Sequence, residues 1–257
     1  MLNPKQIIED LRKLGVKKDD IIVVHSSYNS LRGDDQIEGG PEAVIEALKE
    51  TVSEGTLIVP TFSYENVNIE NRIFDVANTP VCIGILPETM RLSKDVIRSV
   101  HPTHSLAVWG KDAEDFTKNH YKDHTPVGVN SPLSEAYRRG GKIVMLGAPF
   151  ARNTSMHGVE EKILPEYLFT TNYDYEITLE SNEKITMNVL RHDFNGFEQR
   201  YDRVLNILEE GVDYQVGNVL NGRSCVMNAP AVWDKALIKY KEEINYFTDP
   251  RPRKEDL

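Results

Sequence analysis

Short apolar, β-branched runs alternate with helical patterns through the first 147 residues of this 257-residue chain, and that alternation leaves few folds open. Residues 21–24, 56–60, 105–109 and 143–146 are nearly unbroken apolar runs, as expected of strands covered on both faces. Between them fall helix signals. Asn3-Pro4 caps a helix predicted over 4–14 and ended by Gly15, and Gly39-Gly40-Pro41 opens one that faces Val44, Ile45 and Leu48 inward. Further helices are predicted over 85–92 and 132–139, the latter closed by Gly140-Gly141. Strand-helix alternation of this kind gives an α/β class, with a mostly parallel or mixed sheet carrying helices on both faces in three layers.

The pattern changes after residue 170. Residues 173–179 and 184–190 flank Ser181-Asn182-Glu183 and read as an antiparallel hairpin, with helices expected near 197–208 and 232–244. The division expected is a core over 1–170 and a hairpin-bearing lobe over 171–257 packed on it, as one structural unit.

Glu9, Asp10 and Arg12 interrupt the first apolar pattern, which excludes a signal peptide, and no run reaches transmembrane length, so a cytoplasmic protein without a membrane partner is expected. The net charge of −10 argues against nucleic-acid binding and mildly favours a cationic small molecule. Cys82 and Cys225 have neither disulfide nor metal spacing and read as reduced packing residues.

Three segments carry candidate chemistry. His25-Ser26-Ser27, with Ser30, follows a buried strand and precedes a helix start, where open α/β sheets bind ligands; a solvated turn explains the same residues. Arg98, His101, Thr103, His104 and Ser105 precede the strand at 105–109. Two histidines three apart suit a metal, but Pro102 denies them a regular helix face and further ligands are lacking, so no metal site is assigned. Asn153, Thr154, His157 and Glu160 follow the strand ending near Gly147. Thr154 or Ser155 can cap a helix on which His157 and Glu160 stand at i and i+3, so that the carboxylate holds one imidazole nitrogen and leaves the other as a general base. An ordinary surface salt bridge has the same spacing, and Glu161 at i+4 also reaches the imidazole.

Taken in order, His25-Ser26-Ser27, Gly55 to Phe62, Phe74-Asp75 with Thr79-Pro80 and Gly84, Arg98 to Ser105, Thr125 to Gly128 with Ser131-Pro132-Leu133, and Asn153 to His157 with Glu160 resemble the aminoglycoside 3-N-acetyltransferase family. The resemblance covers residues 25–160 and thins after 170. It implies acetyl-CoA or another acyl-CoA as donor, no metal, and an amine of an amino sugar as acceptor. His25, Ser26, Ser27, Ser30, Arg98, His101, Thr103, His104 and Ser105 would then hold the donor, with Arg98 beside a phosphate. His157 would take the amine's proton and Glu160 would orient it. Position alone places Thr154, or a backbone amide near Ser27, at the oxyanion, and Asp75, Asn153 and, from the lobe, Asp193 are assigned to the acceptor. Gly158 departs from the larger residues common in the family and puts the rigidity of that helix in doubt.

Two acceptors compete: an aminoglycoside, held by carboxylates such as Asp174, Glu176, Asp193 or Asp213, or a nucleotide-linked amino sugar, held by Arg191, Arg200, Arg203, Tyr201 or Phe194. A metal-dependent hydrolase using His101, His104, His157 and Glu160, and a non-catalytic CoA-binding protein, are the readings from other classes. The sequence leaves a homodimer open.

Overall fold

The computed structural model describes residues 1–253. Its strands and α-helices are numbered here in chain order. Three parallel strands lie at the centre of a seven-stranded sheet: β1 (Ile21–Ser26) sits between β2 (Thr56–Pro60) and β6 (Lys142–Leu146). Beyond β2 run β5 (Leu106–Gly110) and β4 (Val96–Arg98); beyond β6 run β11 (Gly222–Asn228) and β10 (Tyr214–Val219), each antiparallel to its neighbour. The sheet is therefore mixed, and it draws strands from both sides of residue 170.

Alternate side chains of each central strand point to opposite faces. Val23, Ile58 and Met145 bury against Val159 of α7 (His157–Ile163) and Trp233 and Tyr240 of α8 (Ala229–Glu242). Ile22, Val24, Leu57 and Leu146 bury against α1 (Gln6–Lys13), α3 (Gly40–Thr51) and α4 (Ile85–Leu92) through Leu11, Leu48 and Met90. Each fully buried aliphatic side chain contributes roughly 1.5–3 kcal/mol, so the two-sided apolar runs fix helices on both faces.

A smaller sheet stands apart, with β7 (Phe169–Thr178) and β8 (Lys184–His192) forming the expected hairpin and β3 (Ile73–Asp75) joining β7 in parallel. It has its own core of Phe74, Tyr175, Ile177 and Val189. The expected helix over 197–208 is not formed. Residues Phe197–Gln199 are a strand, β9, paired with β12 (Thr248–Pro250), and Tyr201–Asn206 is a 3-10 turn. Its apolar spacing mimics a helix, but Tyr201 and Val204 are buried three apart, which suits the tighter turn.

Candidate active site

The carboxyl ends of β1, β2 and β6 open on one edge of the sheet, the usual ligand position in open α/β folds. From β1 come His25 and Ser26, followed by Ser27, which caps the short helix α2 (Tyr28–Arg32): its Oγ accepts from the Ser30 amide at 3.3 Å and lies 2.9 Å from Ser30 Oγ. From β2 come Phe62 and Tyr64. Because β5 runs the opposite way, with Leu106 opposite Pro60, the preceding Thr103-His104-Ser105 reaches the same edge.

Two cavities meet there, of about 230 and about 440 Å³, sharing Phe62, Tyr64, Arg152 and Thr154. His104, His157, Arg191, His192 and Phe194 line the smaller one; His25, Ser26, Glu65 and Cys82 line the larger. Thr154 stands at the junction, its Oγ1 3.4 Å from His25 Nδ1.

His157 is the first residue of α7, with Nδ1 3.1 Å from Glu160 Oε2 and 2.8 Å from the Tyr201 hydroxyl. Tyr201 donates to Glu160 Oε2 at 2.5 Å, while Tyr240 and Tyr167 donate to Oε1 at 2.9 and 3.4 Å. Since the Tyr201 proton is spent on the carboxylate, its oxygen is an acceptor, and a proton on His157 Nδ1 would satisfy both contacts. The same ring lines the smaller cavity. Burial, reinforced by Glu160, raises the phenols of Tyr201 and Tyr240 far above the ordinary range and that of Tyr167 in the same direction, so all three stay donors. Gly158 has a packing cause: a Cβ there would stand 2.1 Å from Trp233 Cη2, so only glycine lets α7 approach α8 so closely.

Glu161 serves a different imidazole. Its Oε1 accepts from the Val127 amide at 2.8 Å and lies 3.2 Å from His192 Nε2, and burial pushes this carboxyl up to about 8. The i+3 and i+4 carboxylates thus serve two histidines whose rings are 4.4 Å apart. Sequence spacing offered no signal for His192 or for Tyr201, Tyr240 and Tyr167 around Glu160, because these come from distant elements. Among the described residues, the one group with metal-type spacing is His104, His157 and His192, with ring nitrogens within 4.8 Å of one another. A tetrahedral ion at about 2.0–2.1 Å from each would hold them roughly 3.3 Å apart.

Other predicted residues take structural posts. Arg98, expected beside a phosphate, is buried and donates to Ser105 Oγ and to the carbonyls of Val76, Thr79 and Thr61, so it braces the loops; burial lowers its guanidinium to about 9. Ser105 bonds the Thr61 carbonyl, and His101 accepts from the amides of Thr103 and His104 while stacking on His120. These two hold the segment from within, leaving Thr103 and His104 at the cavity. Asp75 accepts from the amides of Ala77 and Asn78 and from the Asn78 side chain, which ties its own loop. Asn153 is fully buried and accepts from Ser155 Oγ, and Asp193 lines a separate cleft with Tyr167 and Phe197.

Among the remaining acceptor candidates, Glu176 pairs with Lys184, Asp213 with Lys235, and Asp174 accepts from Asn188. Arg200 pairs with Asp202 and Asp249, and Arg203 with Asp249.

The family model described as aminoglycoside 3-N-acetyltransferase matches residues 23–239. A prophage-derived aminoglycoside N(3')-acetyltransferase-like protein, YokD of Bacillus subtilis strain 168, is 32% identical over 180 residues, 62% of this chain and 65% of that protein, just under two thirds of its length. Aminoglycoside N(3)-acetyltransferase III of Salmonella sp is 29% identical over 210 residues, 75% of this chain and 72% of that one. The crystal structure of B. subtilis YokD superposes with a TM-score of 0.79 at 26% identity, over 95% of this chain and 94% of that one. The AAC-IIIb structure, a binary complex with CoASH, has the same fold at TM-score 0.79 and 24% identity, over 98% and 99% of the two chains.

Proposed function

The chain belongs to the aminoglycoside 3-N-acetyltransferase family, and on that premise we propose that it transfers an acetyl or other short acyl group from acyl-CoA to an amine of an amino-sugar acceptor. One observation carries the reading: an imidazole whose Nδ1 is held by a buried carboxylate and a phenol lines one cavity, next to a second cavity at the strand ends.

The acceptor's nitrogen attacks the thioester carbonyl as His157 Nε2 takes its proton. The imidazolium then lies against Glu160, and the tetrahedral intermediate collapses with the electron pair leaving on sulfur. The thiolate recovers the proton from His157, so no acyl-enzyme forms. Thr154, at the junction of the cavities, supplies a hydroxyl to the developing oxyanion. The larger cavity, with His25 and Ser26, takes the donor's acyl end, and Ser27 and Ser30 line its approach. His25 stays neutral, since burial and then His157 lower its pKa to about 3.

The test is release of CoA thiol from acetyl-CoA in the presence of an amine panel. His157→Ala should lower the rate by about two to four orders of magnitude with donor affinity intact, and near wild-type turnover in that variant would remove His157 from the mechanism.

A further inference from the structure

The smaller cavity has the wrong sign for a polycation. Its lining includes Arg152 and Arg191 and contains no aspartate or glutamate. Among the described residues neither arginine is in a salt bridge. The carboxylates behind its histidines are occupied, Glu160 fully buried behind His157 and taking bonds from three tyrosines, and Glu161 behind His192, while Asp193 lines a separate cleft. Glu65 lines the larger cavity. The histidines add no negative charge, and burial keeps His104 and His192 neutral.

We propose that the acceptor bears an oxyanion close to its reacting amine, and that Arg152 and Arg191 receive that oxyanion while the amine lies at His157. Arg191 is steadied for this by donating to the carbonyls of Val67 and Tyr64, and Arg152 is exposed at the rim. Planar guanidinium groups match phosphoryl or carboxylate oxygens in pairs, which a scatter of surface lysines would not do. Phe62, Tyr64 and Phe194 give the same cavity flat apolar faces for a sugar ring or a base.

The donor's phosphates are a poor alternative for these arginines. A thioester placed at His157 has its phosphates a whole pantetheine arm away, beyond Arg191 in the smaller cavity and beyond Arg152, which stands with Thr154 where the two cavities meet.

This inference rests on assigning the smaller cavity to the acceptor, so binding and turnover are measured separately. Calorimetric titration of the CoA-saturated protein compares glucosamine with glucosamine 6-phosphate, ethanolamine with phosphoethanolamine, and an aminoglycoside. The phosphorylated amines should bind roughly ten- to hundredfold tighter than their neutral counterparts, the range for a charge-assisted contact, and Arg152→Gln should close most of that gap. Equal or weaker binding of the phosphorylated amines, no binding by any of them, or tightest binding of the aminoglycoside would overturn it. Selective binding without thiol release would leave the oxyanion site standing and sink the acyl-transfer reading.

Discussion

On the proposed mechanism Glu160 has two duties, supporting the His157 imidazolium and accepting from three buried tyrosines, and two substitutions separate them. In Glu160→Gln the amide oxygen can occupy the Oε2 position, so His157 and Tyr201 keep an acceptor, while Tyr240 and Tyr167 turn to accept from the amide NH2. What is lost is charge. A hydrogen bond to a charged group is worth about 1.5–3 kcal/mol and a neutral one about 0.5–1.5. The imidazolium in the transition state therefore loses about 1–1.5 kcal/mol, or roughly five- to fifteenfold in rate. Glu160→Ala instead removes the acceptor that three buried hydroxyls share, at about 1–3 kcal/mol for each one left without a partner. Tyr167 and Tyr240 keep their contact with each other, so the loss is a part of the stability of a typical domain, about 5–15 kcal/mol, and not the whole of it. Denaturant titration and thiol-release kinetics should give a glutamine variant with near wild-type midpoint and kcat down about tenfold, and an alanine variant with a clearly lowered midpoint. A glutamine variant with wild-type kcat, or an alanine variant of wild-type stability, would refute the reasoning.

Acid should unfold the protein early. Burial holds His25 and His101 near 3 and His104, His120 and His192 well below the ordinary 6.5, so below pH 6.5 the unfolded chain takes protons that the folded one refuses. Stability then falls by up to about 1.4 kcal/mol per pH unit for each such histidine. Glu161, raised to about 8, acts with the opposite sign between about pH 4.5 and 8, and Asp123, also raised by burial, acts the same way above its ordinary value, but the five histidines outnumber these two. Denaturation midpoints flat from pH 6.5 to 5 would contradict this. Gly158→Ala should destabilise by about 1–3 kcal/mol through the clash with Trp233, despite alanine's better helix propensity; a raised melting temperature would show that α8 gives way. Arg98→Ala should lower stability by orphaning the carbonyls of Thr61, Val76 and Thr79 while leaving CoA affinity unchanged by calorimetry.

Much of the fold was legible in order and spacing. The strand predicted over 56–60 and the helix predicted over 85–92 stand at those residues, because two-sided burial leaves an unbroken apolar run and one-sided burial leaves a helical stripe. The element at 197–208 misled because the apolar periods of a 3-10 turn and an α-helix are too close to separate over so short a span. Residues 214–228 gave no expectation at all, yet they form the hairpin that completes one side of the main sheet.

The sequence alone determined the alternation of strands and helices, the ordered motifs that mark the family, and the i, i+3 pair of His157 and Glu160, since each depends on neighbours along the chain. Only the tertiary structure decided which groups converge from a distance: that Tyr201, Tyr240 and Tyr167 close on Glu160, that Glu161 serves His192, that Arg98 is spent on backbone carbonyls, and that Arg152 and Arg191 set the sign of the cavity. The reason is physical. A hydrogen bond or a local field is fixed by separations of a few ångströms in space, and residues 40 or 80 positions apart carry no trace of such a separation in their spacing along the chain.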